Sequence, residues 1–233
     1  MPDPAATDRP LPGRQREARS NDSAVLTAAR EVFSARGHDA SMAEIARHAG
    51  VGVGSIYRRY PTKEALVEAL RVHAVTEAAA LAREVRLAAD GAPVHSSTEE
   101  AGDEPGAVPA GAVGTFLARQ IAGATGPILQ PPGGGGPISP QLAAASEELR
   151  TNLEALVERD RADGMVPDGF TTADVMQLLL HLRPALPFPR AHADALHLRY
   201  LGFAMRGLHE QAQSGDSLGR GPHWDEWMGT WHD

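Results

Sequence analysis

Residues 53–59, VGSIYRR, hold two adjacent guanidinium groups behind a stretch of small residues. A guanidinium donates two parallel hydrogen bonds to a planar acceptor edge. Guanine O6 and N7 form such an edge, and a good bidentate pair gives about 1–3 kcal/mol of discrimination between bases. Gly54 lets backbone come close to base edges, Val53 can meet a thymine methyl, and Ser55 adds a short hydroxyl. Arg58 and Arg59 diverge by about 100° around a helix. One is expected to read a base and the other to grip a phosphate, and their residue types do not say which. The chemistry is recognition by hydrogen bonds and charge, with no covalent bond made or broken.

The elements that must position these groups are legible on both sides. In residues 41–66, SMAEIARHAGVGVGSIYRRYPTKEAL, Ser41 can cap a helix with Glu44 bonding back to it three residues on, which is a capping box. Ile45, Ala46 and Ala49 fall on one apolar face, and Gly50 suits the left-handed backbone of a C-cap. Val51 packs inward at the corner. A second short helix then carries Ile56 and Tyr60 four apart, which leaves Tyr57 free to point outward. Pro61 and Thr62 end that helix, and Thr62 can cap the next with Glu64 in its first turn. Two short helices joined by a tight turn make a helix-turn-helix, whose second helix enters the DNA major groove.

With the helix before them, these residues resemble the N-terminal DNA-binding domain of TetR/AcrR-type transcriptional regulators. The resemblance runs from about residue 19 to residue 70. It rests on Ala28, Ala29, Phe33, Gly37, Ser41-Met42, Ile45-Ala46, Ala49-Gly50-Val51, Gly54-Ser55-Ile56-Tyr57, Tyr60 and Lys63-Glu64-Ala65-Leu66 in order. It implies that Ser41, Tyr57 and Lys63 touch phosphates, while Val53, Gly54, Ser55, Arg58 and Arg59 face the bases. Two positions depart from the family pattern. Gly52 stands where Ser or Thr more often caps the recognition helix, and Ala43 leaves the preceding helix without a long polar reader. Arg14, Arg16 and Arg19 can compensate by reaching the minor groove or the backbone, or can lie in solvent.

The net charge of −8 has the wrong sign for a polyanion partner, but its distribution is uneven. Residues 14–63 hold nine Lys/Arg against five Asp/Glu, a local +4 that leaves −12 for the rest of the chain. Affinity for nucleic acid follows the local basic face. Plentiful Ala, Leu and Arg with few aromatics favour helices, and the absence of cysteine excludes disulfides and thiolate metal sites. The N-terminus does not read as a signal peptide, and the most apolar window, 175–182, is too short to span a bilayer. A soluble cytoplasmic protein is expected.

The expected fold class is all-α: an N-terminal three-helix DNA-binding domain joined by a long helix to a C-terminal helical ligand-binding and dimerisation domain. The expected divisions are a disordered basic arm over 1–18, the helix-turn-helix domain over 19–66, the larger domain over 67–213 and a tail over 214–233. The first helix is placed at 22–36, with Val25, Ala29, Val32 and Phe33 inward. The fourth runs from about residue 62 to 89, and later helices are placed at 112–122, 140–163, 172–183 and 191–213. Residues 90–110 and 123–140 read as loops, the second with four consecutive glycines at 133–136. The tail holds Trp224, Trp227 and Trp231, three and four apart, which either dock on one face of a short helical turn or fray into solvent.

The resemblance further implies a homodimer on a pseudopalindromic operator, paired through the helices at 172–183 and 191–213. It also implies a repressor released by an unidentified small molecule held among the fourth to seventh helices. Phe116, Gln120, Met176 and His181 are candidate pocket residues, and each can equally be plain core or surface. No cofactor and no metal is expected, because His192 and His197 lack ligand spacing to a carboxylate partner. GxSxG, HExxH, Walker and Rossmann motifs are missing, and the glycine run follows prolines rather than a strand, so an enzyme is not expected. The competing possibility is a small-molecule binder or anti-regulator of the same fold with weak or no operator binding.

Overall fold

The computed structural model describes residues 13–91, 111–123, 138–215 and 218–229, all of it helix and connecting turns. The chain divides into two compact units, one ending at Leu70 and one beginning at Arg71. Of the loops expected at 90–110 and 123–140, residues 92–110 and 124–137 lie outside the described residues, as do the glycine run and Trp231, while 90–91, 123 and 140 belong to helices.

The first unit contains α1 (Gly13–Arg36), a single 3-10 turn (Gly37–Asp39), α2 (Met42–Ala49), α3 (Val53–Arg59) and the start of α4 (Lys63–Gly91). Val25, Ala28, Ala29, Val32 and Phe33 of α1 are buried with Met42, Ile45 and Ala46 of α2, Ile56 of α3, Tyr60, and Leu66 and Leu70 of α4. α1 begins earlier than its expected start at residue 22, so the arm expected to be disordered is helical from Gly13. The reason is local. After Gly13 the segment RQREARSND has no proline or glycine, and its Gln, Glu, Ala and Arg residues are good helix formers.

The second unit holds the rest of α4, then α5 (Ala112–Gly123), α6 (Pro140–Ala162), α7 (Thr172–Leu182), α8 (Arg190–Ser214) and α9 (Trp224–Gly229). Its helix starts are specified by the sequence. Ser139 caps α6, accepting from the Leu142 amide at 3.1 Å with Pro140 in the first turn, and Thr171 and Asp174 form a full capping box on α7. One core joins all six helices: Ala79, Ala82 and Val85 of α4, Phe116, Leu117 and Ile121 of α5, Leu149, Leu153 and Leu156 of α6, Val175 and Leu179 of α7, Leu201 and Met205 of α8, and Trp227 of α9. The amphipathic stripes expected of these helices face that core. Polar ties on its rim join α4 to α6, through Arg83–Glu148 at 3.2 Å and Arg86 Nε donating to Asn152 Oδ1 at 3.1 Å.

The tail segment 218–229 is held at both ends. Thr171 Oγ1 donates to the Pro222 carbonyl at 3.0 Å. A Cβ at Gly221 would come within 2.6 Å of Asp174 Oδ2 and 2.8 Å of the Gly169 carbonyl, so only glycine passes there. Beyond it α9 packs on α7 and sinks Trp227 into the core at 4% exposure, with Trp224 and Met228 partly buried beside it. Of the two fates open to these tryptophans, the described pair takes docking on the body.

One buried charge stands out in this unit. Asp160 of α6 is 1% exposed, and its carboxylate accepts the amides of Ala112 and Val113 at 2.7 and 2.8 Å, closing the start of α5. Burial raises its pKa above the ordinary aspartate value, outweighing the two amide bonds that favour the anion. A raised native pKa means the folded state binds the proton more tightly, so this stabilising term is complete below the unfolded pKa and is lost as pH rises through the folded one. Asp160→Ala is expected to cost about 2–4 kcal/mol in urea unfolding, because two buried amides lose their acceptor. Across acid to neutral pH, wild type should lose stability relative to Asp160→Asn; a constant difference between the two would refute the raised pKa.

Candidate nucleic-acid interface

The interface is built from the turn outward. Ser41 caps α2, its Oγ accepting from the Glu44 amide at 3.1 Å, which leaves its own proton free to donate. α2 stops at Gly50, whose backbone is left-handed with φ 69° and ψ 24°, a conformation that costs an L side chain about 1–2 kcal/mol. Gly52 caps α3 with no side-chain bond. Ile45 of α2 and Ile56 of α3, at 0% and 1% exposure, are both sealed into the core. Thr62 caps α4, accepting from the Ala65 amide at 3.1 Å, and the backbone amide of Glu64, then the Thr62 hydroxyl, hold the Glu64 carboxyl below the usual carboxylate pKa.

With Ile56 and Tyr60 committed to the core, the rest of α3 faces outward. Val53 and Tyr57 are 43% and 50% exposed, large values for side chains of their type, and Gly54, Ser55, Arg58 and Arg59 are exposed beside them. The two arginines have different partners. Arg58 Nη2 donates to Ser55 Oγ at 3.0 Å, one turn back on the same helix. Arg59 Nη2 lies 2.7 Å from Asp22 Oδ2 of α1. Lys63 sits with its ammonium 5.4 Å from the centre of the Phe33 ring. Burial raises the pKa of Tyr60, while its bond to Arg59 opposes the shift.

Ser41, Val53, Gly54, Ser55, Tyr57, Arg58, Arg59 and Lys63 are thus all in the first unit, on α3 or at the starts of α2 and α4. The Asp22–Arg59 pair was not foreseen, since its members are remote in sequence and no local spacing signals it. The same holds for Glu31 and His48, 2.6 Å apart across α1 and α2, and for Arg36, which reaches Glu44 at 3.4 Å; Arg47 joins Glu44 from the same helix at 3.9 Å. Beneath the Glu31–His48 pair, α1 and α2 flank an open groove of about 550 Å³ lined by Ser23, Ala24, Thr27 and Ala49.

Residues 25–70 match the sequence profile of the bacterial regulatory proteins of the tetR family. The chain carries the TetR-family N-terminal domain. Over 57 residues it is 40% identical to the HTH-type transcriptional regulator UidR of Escherichia coli K12, a match covering 24% of this chain and 29% of that relative. It therefore spans less than a third of the curated relative it matches. The solved structure of a TetR transcription regulatory protein from Mycobacterium vanbaalenii aligns with 84% of this chain and 98% of its own, at 25% identity and a TM-score of 0.51. The TetR transcriptional regulator SCO0520 of Streptomyces coelicolor aligns with 80% of this chain and 97% of its own, at 26% identity and a TM-score of 0.47. The TetR-type all-α fold, with its N-terminal helix-turn-helix, is the fold of this protein.

The four candidate pocket residues lie in the second unit. Phe116 and Met176 are members of one buried core, Gln120 is half-buried on α5, and His181 is exposed near the end of α7. Among the described residues no cluster of His, Asp and Glu has the makings of a metal site, and no helix is long and apolar enough to cross a membrane.

Gly54 separates folding from function. A Cβ there meets nothing within 4 Å and its φ is not positive, so alanine fits α3 without strain. Gly54→Ala is expected to raise thermal stability, by roughly 0.5–1 kcal/mol from helix propensity. If the glycine admits a base edge, the same variant loses DNA affinity; greater stability with unchanged DNA binding would assign Gly54 no role at the interface.

Proposed function

We propose that this TetR-family chain is a sequence-specific transcriptional regulator of the cytoplasm: a repressor that binds a pseudopalindromic operator as a homodimer and is released by a small molecule. The observation that carries the proposal is the outward face of α3, where Val53, Tyr57 and Arg58 stand in solvent while Ile56 and Tyr60 hold the helix down. A solvent-facing valine and tyrosine beside an arginine suit a groove floor and a phosphate wall. Ser41, Tyr57 and Lys63 take phosphates and fix the register, Arg58 reads a base from its place beside Ser55, and Val53, Gly54 and Ser55 meet the base edges. Arg59, tied to Asp22, reaches a phosphate only by leaving that carboxylate.

A single short recognition helix binds weakly, so two-fold pairing multiplies both affinity and specificity. Tyr200 and Phe203 of α8 are 55% and 54% exposed, stacked edge-to-face 6.0 Å apart with Arg199 over the Phe203 ring, and Phe188 is exposed just before the helix. α7 is largely covered within its own unit. This favours α8 as the pairing surface over an equal share for both helices. The effector is held among α4 to α7, with Gln120 as a polar contact and Phe116, Met176 and His181 around it. Its release of the operator requires unequal affinity for two conformations.

A gel shift across several salt concentrations, using DNA that flanks the protein's own gene, tests the proposal. A sequence-specific complex is expected. Arg58→Ala should relax specificity at about 1–3 kcal/mol, and Lys63→Ala should weaken all sequences alike and flatten the salt slope by about one per subunit. Equal affinity for random DNA would replace the operator reader with the anti-regulator alternative. Light scattering on Phe203→Glu should show monomers where wild type is dimeric; a dimer unaffected by that charge would remove α8 from the interface.

A further inference from the structure

The end of α3 presents two guanidinium groups side by side, yet the fold treats them differently. Arg58 leans back along the exposed face of its own helix onto Ser55, a neutral and weak partner that moves with it. Arg59 turns to α1 and meets the carboxylate of Asp22 at 2.7 Å, the distance of a strong charge-assisted hydrogen bond. Asp22 is the more enclosed member, its side chain 31% exposed against 63% for Arg59. Among the described residues, the groups facing Asp22 are Arg59 itself and the phenol of Tyr60. Asp22 is therefore the more enclosed partner and Arg59 the more solvent-facing one.

We propose that Asp22 is a specificity-determining residue of the DNA-binding face: it withholds Arg59 from the nucleic acid, so that the adjacent pair offers one guanidinium, that of Arg58. The proposal rests on the DNA-binding function above. Two free arginines at the same helix end would grip any duplex, because cation–phosphate attraction carries no sequence information. An exposed ion pair is weak enough for a phosphate to break. The carboxylate then stays behind, close to the strand and unpaired, so the exchange gains little. Asp22 thus lowers indiscriminate binding while leaving the contact at Arg58 intact. It is a positioning residue that touches no base.

The test compares wild type, Asp22→Asn, Arg59→Ala and the double variant Asp22→Asn/Arg59→Ala on two duplexes across a salt series. One duplex is the DNA flanking the protein's own gene; the other is a random sequence of equal length. Asp22→Asn keeps the side-chain shape, and circular dichroism with thermal melting checks that the fold is kept. For Asp22→Asn, binding to the random duplex should tighten several-fold, its salt slope should steepen by about 0.9 per subunit, and the preference for flanking DNA should shrink. Arg59→Ala alone should weaken both duplexes alike, because it leaves the Asp22 carboxylate unpaired near the strand, and the double variant should return to wild-type behaviour. Persistence of the Asp22→Asn gain without Arg59 would overturn the proposal, since the effect would then be a general change of charge. So would an unchanged slope for Asp22→Asn. A wild type that binds both duplexes equally refutes the operator function instead, and the random-duplex series still decides the role of Asp22.

Discussion

The left-handed turn at Gly50 and the burial of Ile45 and Ile56 on either side of it govern the whole interface. A helix ending with φ 69° turns its chain sharply enough for α3 to start three residues later and pack against α2. The two isoleucines, both sealed from solvent, then fix the rotation of α3 about its own axis. Once Ile56 and Tyr60 point down, the geometry of a helix turns Arg58 outward with Tyr57 at the flank, while Val53 is exposed at the first position of α3. Every proposed DNA contact on α3 is a consequence of that one packing decision.

Electrostatics refines what packing sets. Residues 14–63 carry the basic excess, yet several of their cations are matched to acids: Arg59 to Asp22 and Arg36 to Glu44 across elements, and Arg47 to Glu44 within α2. Such exposed pairs add little stability. Their larger effect is to shape which positive charges meet a partner at full strength. In the second unit charge serves the core instead, where Asp160 closes the start of α5 at the cost of burying a carboxylate.

Helix order and most helix limits were legible in the chain because their signals are local. Ser41 and Thr62 announce helix starts by their own hydroxyls, Gly50 marks a stop by its backbone freedom, and the leucines of α6 repeat at helical spacing. The start of α1 was misjudged because a charged, proline-flanked segment reads as disordered, while helix propensity alone carries it from Gly13. The tail was ambiguous for a related reason. Spacing puts Trp224 and Trp227 near one face of a turn, but whether a body lies there to receive them depends on α7, far away in sequence.

By itself, then, the sequence determined that the chain is helical, where its helix-turn-helix lies and which α3 residues turn outward, since capping, periodicity and backbone freedom act over a few residues. Only the tertiary structure decided that Trp227 is core, that α7 is covered while aromatics of α8 stand in solvent, and that Asp160 finishes a helix remote from its own. It also decided the partners of Arg58 and Arg59. Adjacent arginines are equivalent in a sequence; they become different when one side of their helix faces Asp22 on α1 and the other faces water. Long-range pairing depends on which surfaces fold together, and no short-range pattern encodes it.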